Sequence, residues 1–213
     1  MQHVMIIGAN GRTAREIIPR LQEQIDVKLT LFLRQAERVQ DKASQDITIV
    51  DGDARNIEEL KAALKGQDIV INAMGGMDLG DTTETLGQAM TESGVKRIIA
   101  INAGGIYDEL PEPFNTWDFE MVGSTRPINL KAAEAIEHSS LDYTILRPVW
   151  LTNKPITDVQ LTDKGEMYKG TETSRASLAQ FISEIVENPE RYKNENVGIS
   201  QPNTDGDKPA AFR

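Results

Sequence analysis

The sequence contains no cysteine, and of its 213 residues only two are histidine and 5% are aromatic. Without cysteine, disulfide bonds, iron–sulfur clusters, thiolate metal sites and a cysteine nucleophile are excluded. His3 and His138 lack the spacing of metal ligands, so we predict no bound metal. No apolar run approaches the roughly 18 residues that a membrane-spanning helix needs. The first such run, residues 4–7, ends at Gly8.

Basic residues are also scarce, since 23 Lys and Arg stand against 33 Asp and Glu and the formal charge is −10. Nucleic acids and anionic membranes bind basic surfaces, so we expect neither as a partner. The first apolar run is too short for a signal peptide and lacks its basic flank, and we interpret the protein as cytoplasmic. Hydrophobic residues at 39% and charged residues at 26% are typical of a folded domain with a sizeable core.

Short apolar runs alternate with longer amphipathic segments along the chain. Strands are predicted at residues 4–7, 27–33, 47–50, 69–73, 97–103, 143–147 and 197–200. Helices are predicted from about residue 14 to 25, at 56–65 and 83–93, from 124 or 129 to 138, and at 174–186. The strands are continuous apolar runs, which indicates an α/β fold with a mostly parallel sheet covered by helices on both faces.

Three segments depart from this alternation. Residues 104–123 contain prolines among aromatic residues and predict a long loop that is functional or mobile. Residues 151–173, which we name the lid segment, are sufficient only for a small lid. Residues 201–213 are polar, contain two prolines and predict a loosely held tail. Because no repeat or linker divides the chain, we expect a single domain over residues 1–200.

The first strand candidate is followed by a loop from Gly8 to Ala14 with the sequence GANGRTA. Gly8 and Gly11 allow the backbone to turn sharply and approach a diphosphate, and the helix that follows supplies free N–H groups and the positive end of its dipole. Ala14 is small enough for the helix to pack closely on the strand. This arrangement favours a dinucleotide-binding loop over an ordinary glycine-rich turn.

The second strand candidate is followed by Arg34, twenty residues beyond Ala14. An acidic residue at this position would accept hydrogen bonds from the ribose diol of NAD. An arginine can instead bind a 2′-phosphate through two donors, which indicates NADP(H). Arg12 in the glycine loop is a candidate second cation for that phosphate. The alternative interpretation of Arg34 is a solvated arginine at a strand end.

Polar or small residues also follow the next four strands. Asp53 is a candidate acceptor for the adenine amino group, although capping the helix at Asn56 or stabilising the turn is almost as consistent with the pattern. Residues 73–75 are candidates to line the middle of the cofactor, and Asn102 is a candidate polar group beside the nicotinamide. Residues 148–150 would border the nicotinamide ring, but Trp150 is equally consistent with a core position.

Together with Lys131 and the run LDYTILRP at residues 141–148, these motifs resemble the atypical short-chain dehydrogenase/reductase family. The closest likeness is to its NAD(P)H-binding, NmrA-like branch, which includes biliverdin-IXβ and flavin reductases. The resemblance extends from about residue 1 to residue 189, and implies a Rossmann-type, doubly wound parallel sheet in three α/β/α layers that binds NADP(H) at its carboxyl edge. The cofactor contacts that it implies are Gly8, Asn10, Gly11, Arg12, Thr13, Arg34, Asp53, Ala54, Ala73, Met74, Gly75, Lys131, Pro148, Val149 and Trp150.

The sequence departs from that family at the catalytic positions. Typical members have a proton-donating tyrosine four residues before the lysine, and Pro127 stands at that position. The usual serine near the end of the fifth strand is replaced by Asn102. Lys131 and Asn102 are therefore the candidate catalytic residues, with Lys131 either binding a ribose hydroxyl or lying on a solvated helix face. Neither Pro127 nor Asn102 can act as a general acid, which argues against reduction of a plain carbonyl.

Reactions that need only hydride delivery remain possible without the tyrosine and the serine, because a conjugated acceptor delocalises the added charge and can take its proton from water. The sequence therefore predicts an NADP(H)-dependent oxidoreductase that acts on a small conjugated acceptor such as a flavin or quinone. Phe114, Trp117 and Trp150 are apolar candidates for the acceptor pocket. The alternatives are a non-catalytic NAD(P)-binding sensor or regulatory protein and, third, a sugar epimerase, which would also need the missing tyrosine. We expect a monomer or homodimer.

Overall fold

The computed structural model describes residues 1–213. The strands are β1 Gln2–Ile7, β2 Val27–Leu33, β3 Ile47–Asp51, β4 Ile69–Asn72, β5 Arg97–Ile101, β6 Asp142–Pro148, β7 Trp150–Thr152, β8 Gln160–Thr162, β9 Glu172–Ser174 and β10 Glu195–Ser200. The α-helices are α1 Ala14–Gln22, α2 Ile57–Leu64, α3 Leu79–Ser93, α4 Phe114–Val122, α5 Arg126–Glu137 and α6 Arg175–Glu187. Short 3₁₀ helices occur at Ala36–Lys42, Gly123–Thr125 and Ala210–Phe212. None of the helices has the length and apolar character needed to cross a membrane.

Eight of the strands form one sheet in the order β3-β2-β1-β4-β5-β6-β10-β8. Seven of them run parallel, and β8 pairs antiparallel with β10 at the edge. The strand order reverses between β1 and β4, because β2 and β3 lie on one side of β1 and the later strands lie on the other. The predicted α/β fold with a doubly wound, mostly parallel sheet is therefore confirmed.

Both faces of the sheet are buried under helices. Val4 and Ile6 of β1 belong to a buried cluster that includes residues of α1 and α6. Met5 and Ile7, which point to the opposite face, belong to a second cluster with residues of α2, α3 and α5. Because every position of such a strand is buried, the strands are apolar throughout, which explains the continuous apolar runs in the sequence.

Local capping fixes the ends of the helices that surround the candidate site. Asn56 begins α2, because its side-chain oxygen accepts hydrogen bonds from the N–H groups of Glu58 and Glu59 at 3.1 and 3.4 Å. Gly94 ends α3 in the left-handed conformation, with a φ of 75°. The helix α3 begins at Leu79, four residues before the predicted start.

The loop predicted at residues 104–123 contains the helix α4, so the prediction of a wholly irregular segment is wrong. Pro113 lies directly before the first turn, where a missing N–H leaves no helical hydrogen bond unmade. Phe114 is buried, and Trp117, one turn further along the helix, packs against the same apolar cluster. The prolines and aromatic residues that suggested a loop are therefore the start and the packed face of a helix.

Within the C-terminal residues 201–213, Phe212 and Ala210 contact the rest of the domain. The ring of Phe212 packs against Trp117 and Trp150, with centroid distances of 5.1 and 5.2 Å. The N–H of Ala210 donates a hydrogen bond to the buried Glu172. The segment is largely polar and Phe212 is its single aromatic residue, so its composition gave no indication of this aromatic contact. Within the lid segment, β8 extends the main sheet by pairing with β10.

Candidate functional site

A crevice follows the carboxyl edge of the sheet at the reversal between β1 and β4, the place where sheets of this kind bind ligands. Its first cavity has a volume of about 610 Å³ and its second cavity a volume of about 380 Å³. Gly11 and residues 73–75 line both cavities, which are therefore parts of one crevice. The predicted residues that line the first cavity are Gly8, Asn10, Gly11, Arg34, Asp53, Ala54, Ala73, Met74 and Gly75.

The glycine loop between β1 and α1 brings bare backbone amides to the crevice. Gly8 has a φ of 77°, and a Cβ atom there would lie 3.0 Å from the carbonyl oxygen of Ala73, so only glycine fits this bend. Gly11 closes the turn by donating its N–H to the Gly8 carbonyl at 2.9 Å. The N–H groups of Arg12 and Thr13 donate to no protein acceptor. The loop thus offers unpaired amides at a helix N-terminus, which fits a diphosphate.

Two arginines line the far end of the first cavity. Arg34 follows β2, and Arg38 lies one turn along the 3₁₀ helix that begins at Ala36. The left-handed conformation of Gln35, with a φ of 60°, turns the chain so that both side chains face one cavity. Both are exposed, and neither guanidinium forms an ion pair or hydrogen bond with the protein. The pair is therefore free to bind a phosphate group through charge-assisted donors.

The cation that lies beside Arg34 in the first cavity is Arg38, whereas the sequence suggested Arg12. Arg12 lines the second cavity and is absent from the lining of the first. The signal that could have identified Arg38 is a basic residue four positions after Arg34, in a segment to which no element was assigned. That spacing becomes informative only once the 3₁₀ helix at Ala36–Lys42 is known.

Asp53 lines the first cavity, but its carboxylate is already engaged. The Arg55 side chain donates to both carboxylate oxygens, and the Arg55 N–H donates to one of them at 2.9 Å. These hydrogen bonds, the side-chain ones first, lower the pKa of Asp53 to about 2. The geometry corresponds to the turn-stabilising interpretation that the sequence left open, and an adenine would meet a carboxylate shared with Arg55.

The second cavity is lined by polar side chains that do not titrate near neutral pH. Asn102 follows β5, and Thr125 and Asn129 lie at the start of α5, one turn apart. Arg12 and Arg175 are the charged residues of the lining, which contains no Asp, Glu, His or Tyr. No side chain in this cavity is therefore suited to exchange a proton with a bound molecule.

Asn102 lines the second cavity, and its amide connects two elements. Its Nδ2 donates to the carbonyl of Asn129 at 2.9 Å, and its Oδ1 accepts from the N–H of Ala103 at 2.8 Å. The side chain therefore fixes the end of β5 against α5, which leaves one N–H of its amide for a ligand.

Lys131 is not part of the crevice. Its alkyl chain packs over Gly80 of α3, and its Nζ forms ion pairs with Asp81 and with Glu84, the latter at 3.1 Å. Hydrogen bonds to these two carboxylates raise the pKa of Lys131. Pro127, four residues earlier, is exposed and lines neither cavity. The helix face that reaches the second cavity instead carries Thr125 and Asn129.

The predicted nicotinamide border at residues 148–150 packs beside the crevice without lining either cavity. Val149 is buried against Tyr168 and Gly104. Trp150 forms an aromatic cluster with Trp117 and Phe212, with a centroid distance of 4.9 Å to Trp117. The next residue, Leu151, is the one that lines the second cavity.

A buried ion pair supports the segment that follows β5. Arg147 and Glu109 are 0% and 1% exposed and pair with each other, and Arg147 Nε donates to Asn196 at 2.7 Å. Glu109 accepts hydrogen bonds from the N–H groups of Gly105 and Tyr107, which fixes the chain after Asn102. Breaking a buried pair of this kind leaves an uncompensated charge, so we consider the pair structural.

The comparisons with known proteins identify the family. A family described as NAD(P)H-binding matches residues 8–189, and the chain belongs to this family. The chain is similar to a short-chain dehydrogenase/reductase from Veillonella parvula solved in complex with NADP, with 26% identity, a TM-score of 0.92, and coverage of 98% of this chain and 99% of that one. The resemblance to atypical short-chain dehydrogenases/reductases is thus confirmed, and the fold is that of NAD(P)H-dependent oxidoreductases.

Two further relatives agree with this assignment. A Rossmann-fold NAD(P)-binding family protein from Shigella flexneri shares 41% identity, a TM-score of 0.82, and 98% of each chain. A Bacillus subtilis (strain 168) protein called uncharacterized sugar epimerase YhfK is 27% identical over 169 residues, which are 72% of this chain and 74% of that protein.

Proposed function

We propose that the protein is an NADP(H)-dependent oxidoreductase that delivers hydride to a small conjugated acceptor, such as a flavin or a quinone, without a side-chain proton donor. The observation that carries this proposal is the division of the crevice into two unlike cavities. The exposed Arg34 and Arg38 line the first cavity, whereas the second cavity combines Arg12 and Arg175 with amide and hydroxyl groups and contains no Asp, Glu, His or Tyr.

The residues of the first cavity fit a 2′-phosphorylated dinucleotide. Arg12 and Thr13 line the adjoining second cavity, and their free amides would hold the diphosphate where the two cavities meet. The backbone at residues 73–75, which lines both cavities, would border the middle of the cofactor. Arg34 and Arg38 would bind the 2′-phosphate, where each charge-assisted hydrogen bond contributes about 1.5–3 kcal/mol. The Veillonella parvula relative, solved with NADP, supports the choice of cofactor.

The residues of the second cavity would orient a planar acceptor. When bound in the crevice, the cofactor supplies the hydride. Asn102 and Asn129 can donate hydrogen bonds to acceptor oxygens, and Leu151 contributes an apolar wall. Because the lining contains no Asp, Glu, His or Tyr, the proton must come from water, which suits an acceptor whose added charge is delocalised. The name of the Bacillus subtilis relative suggests epimerase chemistry, but the proton-transferring tyrosine that such chemistry uses has no counterpart in this lining.

The proposal is tested by following NADPH oxidation with riboflavin, a neutral quinone and a plain aldehyde as acceptors. We expect turnover with a conjugated acceptor and none with the aldehyde. At saturating NADPH, kcat/KM for the acceptor should stay constant from about pH 6 to about pH 9, because the lining of the cavity contains no Asp, Glu, His or Tyr to exchange the proton.

Two outcomes would contradict the proposal. A bell-shaped pH profile, or reduction of the aldehyde alone, would reveal a proton donor that the second cavity lacks. Tight NADPH binding without oxidation by any conjugated acceptor would instead favour a sensor or regulatory protein.

A further inference from the structure

Two guanidinium groups from distant parts of the chain meet at the second cavity. Arg12 belongs to the glycine loop, and Arg175 begins α6. No carboxylate lines this cavity to balance their charge. The acid whose charge acts on Arg175 is Glu16, which is itself paired with Arg20 at 3.1 Å. Burial, and then the positive charge of Arg12, lower the pKa of Arg175.

Arg175 is buried and only partly satisfied. It is 7% exposed, and its Nη1 donates to the Leu151 carbonyl at 3.2 Å and to Asn153 Oδ1 at 2.8 Å. Its Nε is buried without any hydrogen-bond partner. A buried guanidinium with an unused donor, facing a second cation and no anion, indicates a site that an external anion completes.

The surrounding backbone favours the same ligand. The helices α1 and α6 pack side by side and begin at Ala14 and Arg175, so both N-termini reach the second cavity. The amides of Arg12 and Thr13, which lack protein acceptors, line the same wall. A group with two adjacent negative charges would be attracted by the two positive helix ends and the two arginines, and would accept hydrogen bonds from the two free amides.

We propose that Arg175, together with Arg12, binds the diphosphate of the dinucleotide and ties the start of the lid segment to the bound cofactor. This inference rests on the proposed function, because it assumes a dinucleotide in the crevice. Arg175 is distant from Arg12 in the sequence, since 163 positions separate the two residues. Its hydrogen bonds to Leu151 and Asn153 make it a link between the cofactor and the lid segment.

The test compares three ligands that share the 2′-phosphoadenosine part. NADPH and 2′-phospho-ADP-ribose contain the diphosphate, whereas 2′-AMP does not. In Arg175→Ala we expect dissociation constants about 10- to 100-fold higher for the first two ligands, as for the loss of one charge-assisted hydrogen bond. The affinity for 2′-AMP should not change. Arg20→Ala, on the outer part of α1, is the matched control and should bind all three ligands like the wild type.

A second variant, Arg175→Gln, distinguishes the loss of a ligand contact from misfolding of the Arg175→Ala variant. Arg175→Gln keeps a donor for the Leu151 carbonyl but removes the charge, and it should show the same loss as Arg175→Ala. Hydrogen exchange gives an independent readout. In the wild type, 2′-phospho-ADP-ribose should slow amide exchange at residues 151–154, and in Arg175→Gln it should not.

The outcomes separate this inference from the proposed function. If the wild type fails to bind NADPH, the proposed function is wrong. If the wild type binds NADPH and both Arg175 variants bind it equally well, only the inference is wrong. If the variants bind NADPH normally but raise the KM for a carboxylate-bearing acceptor, the anion belongs to the acceptor and the diphosphate assignment is overturned.

Discussion

The first and second cavities of the crevice are built in different ways. Residues of the first cavity follow four successive strands, and its two arginines lie four positions apart on the surface. The second cavity joins the glycine loop, the end of β5, the start of α5, the start of the lid segment and the start of α6. The comparison teaches that the first cavity depends on local sequence signals, whereas the second cavity depends on the packing of segments that are distant in the sequence.

The two cavities also differ in their electrostatic setting. Arg34 and Arg38 are exposed to solvent, so their attraction for a phosphate is screened by salt. Arg175 is buried, and the field of its charge is screened less. Binding through the first cavity should therefore weaken with ionic strength more steeply than binding through the second.

Of the substitutions that test this comparison, Gly8→Ala at the glycine bend should cause the largest loss of NADPH affinity. Gly8→Ala places a Cβ against Ala73 and Met74 and should displace the loop amides that serve both cavities. The loss of one charge-assisted hydrogen bond to the diphosphate corresponds to about 10- to 100-fold weaker NADPH binding. Isothermal titration of the purified variant measures this change.

Gly94→Ala is a matched control for that variant. Gly94 has a φ of 75°, close to the 77° of Gly8, but no atom lies within 4 Å of its Cβ position. Both variants should lose roughly 1–2 kcal/mol of unfolding free energy from left-handed strain. Only Gly8→Ala should lose affinity for NADPH. Equal affinities in the two variants would show that the bend is not a binding element.

The smallest effect is expected at Lys131, which the family resemblance placed at the cofactor. Lys131→Ala removes ion pairs to Asp81 and Glu84 that are exposed to solvent and therefore contribute little to stability. The dissociation constant for NADPH and the turnover number should remain those of the wild type. A tenfold loss of either would place Lys131 in the crevice after all and would contradict the geometry described above.

The structural elements that have strong local signals could be predicted from the sequence. The apolar strands predicted the buried parallel sheet. Gly8, Gly11 and Arg34, which the local pattern singled out, line the first cavity. Asn56 was correctly recognised as a cap because its side chain acts within three residues. These features depend on the conformations of near neighbours, which a sequence pattern records directly.

The remaining features depend on contacts between distant segments. Whether Lys131 or Asn129 faces the crevice is decided by where α5 begins and how it packs on α3. Arg175 is an ordinary arginine in sequence, and only the packing of α6 beside α1 brings it near Arg12. Phe212 became part of an aromatic cluster that the polar tail gave no reason to expect.

The central claim is that Arg34 and Arg38 bind the 2′-phosphate, and it is tested most directly by titrating NADPH and NADH against the wild type and Arg34→Glu/Arg38→Glu. The wild type should bind NADPH at least about 10- to 100-fold more tightly than NADH, and the double variant should lose that preference while its affinity for NADH changes little. Arg191→Glu, an exposed arginine outside the crevice, should keep the wild-type preference. Equal affinities of the wild type for NADPH and NADH would contradict the claim.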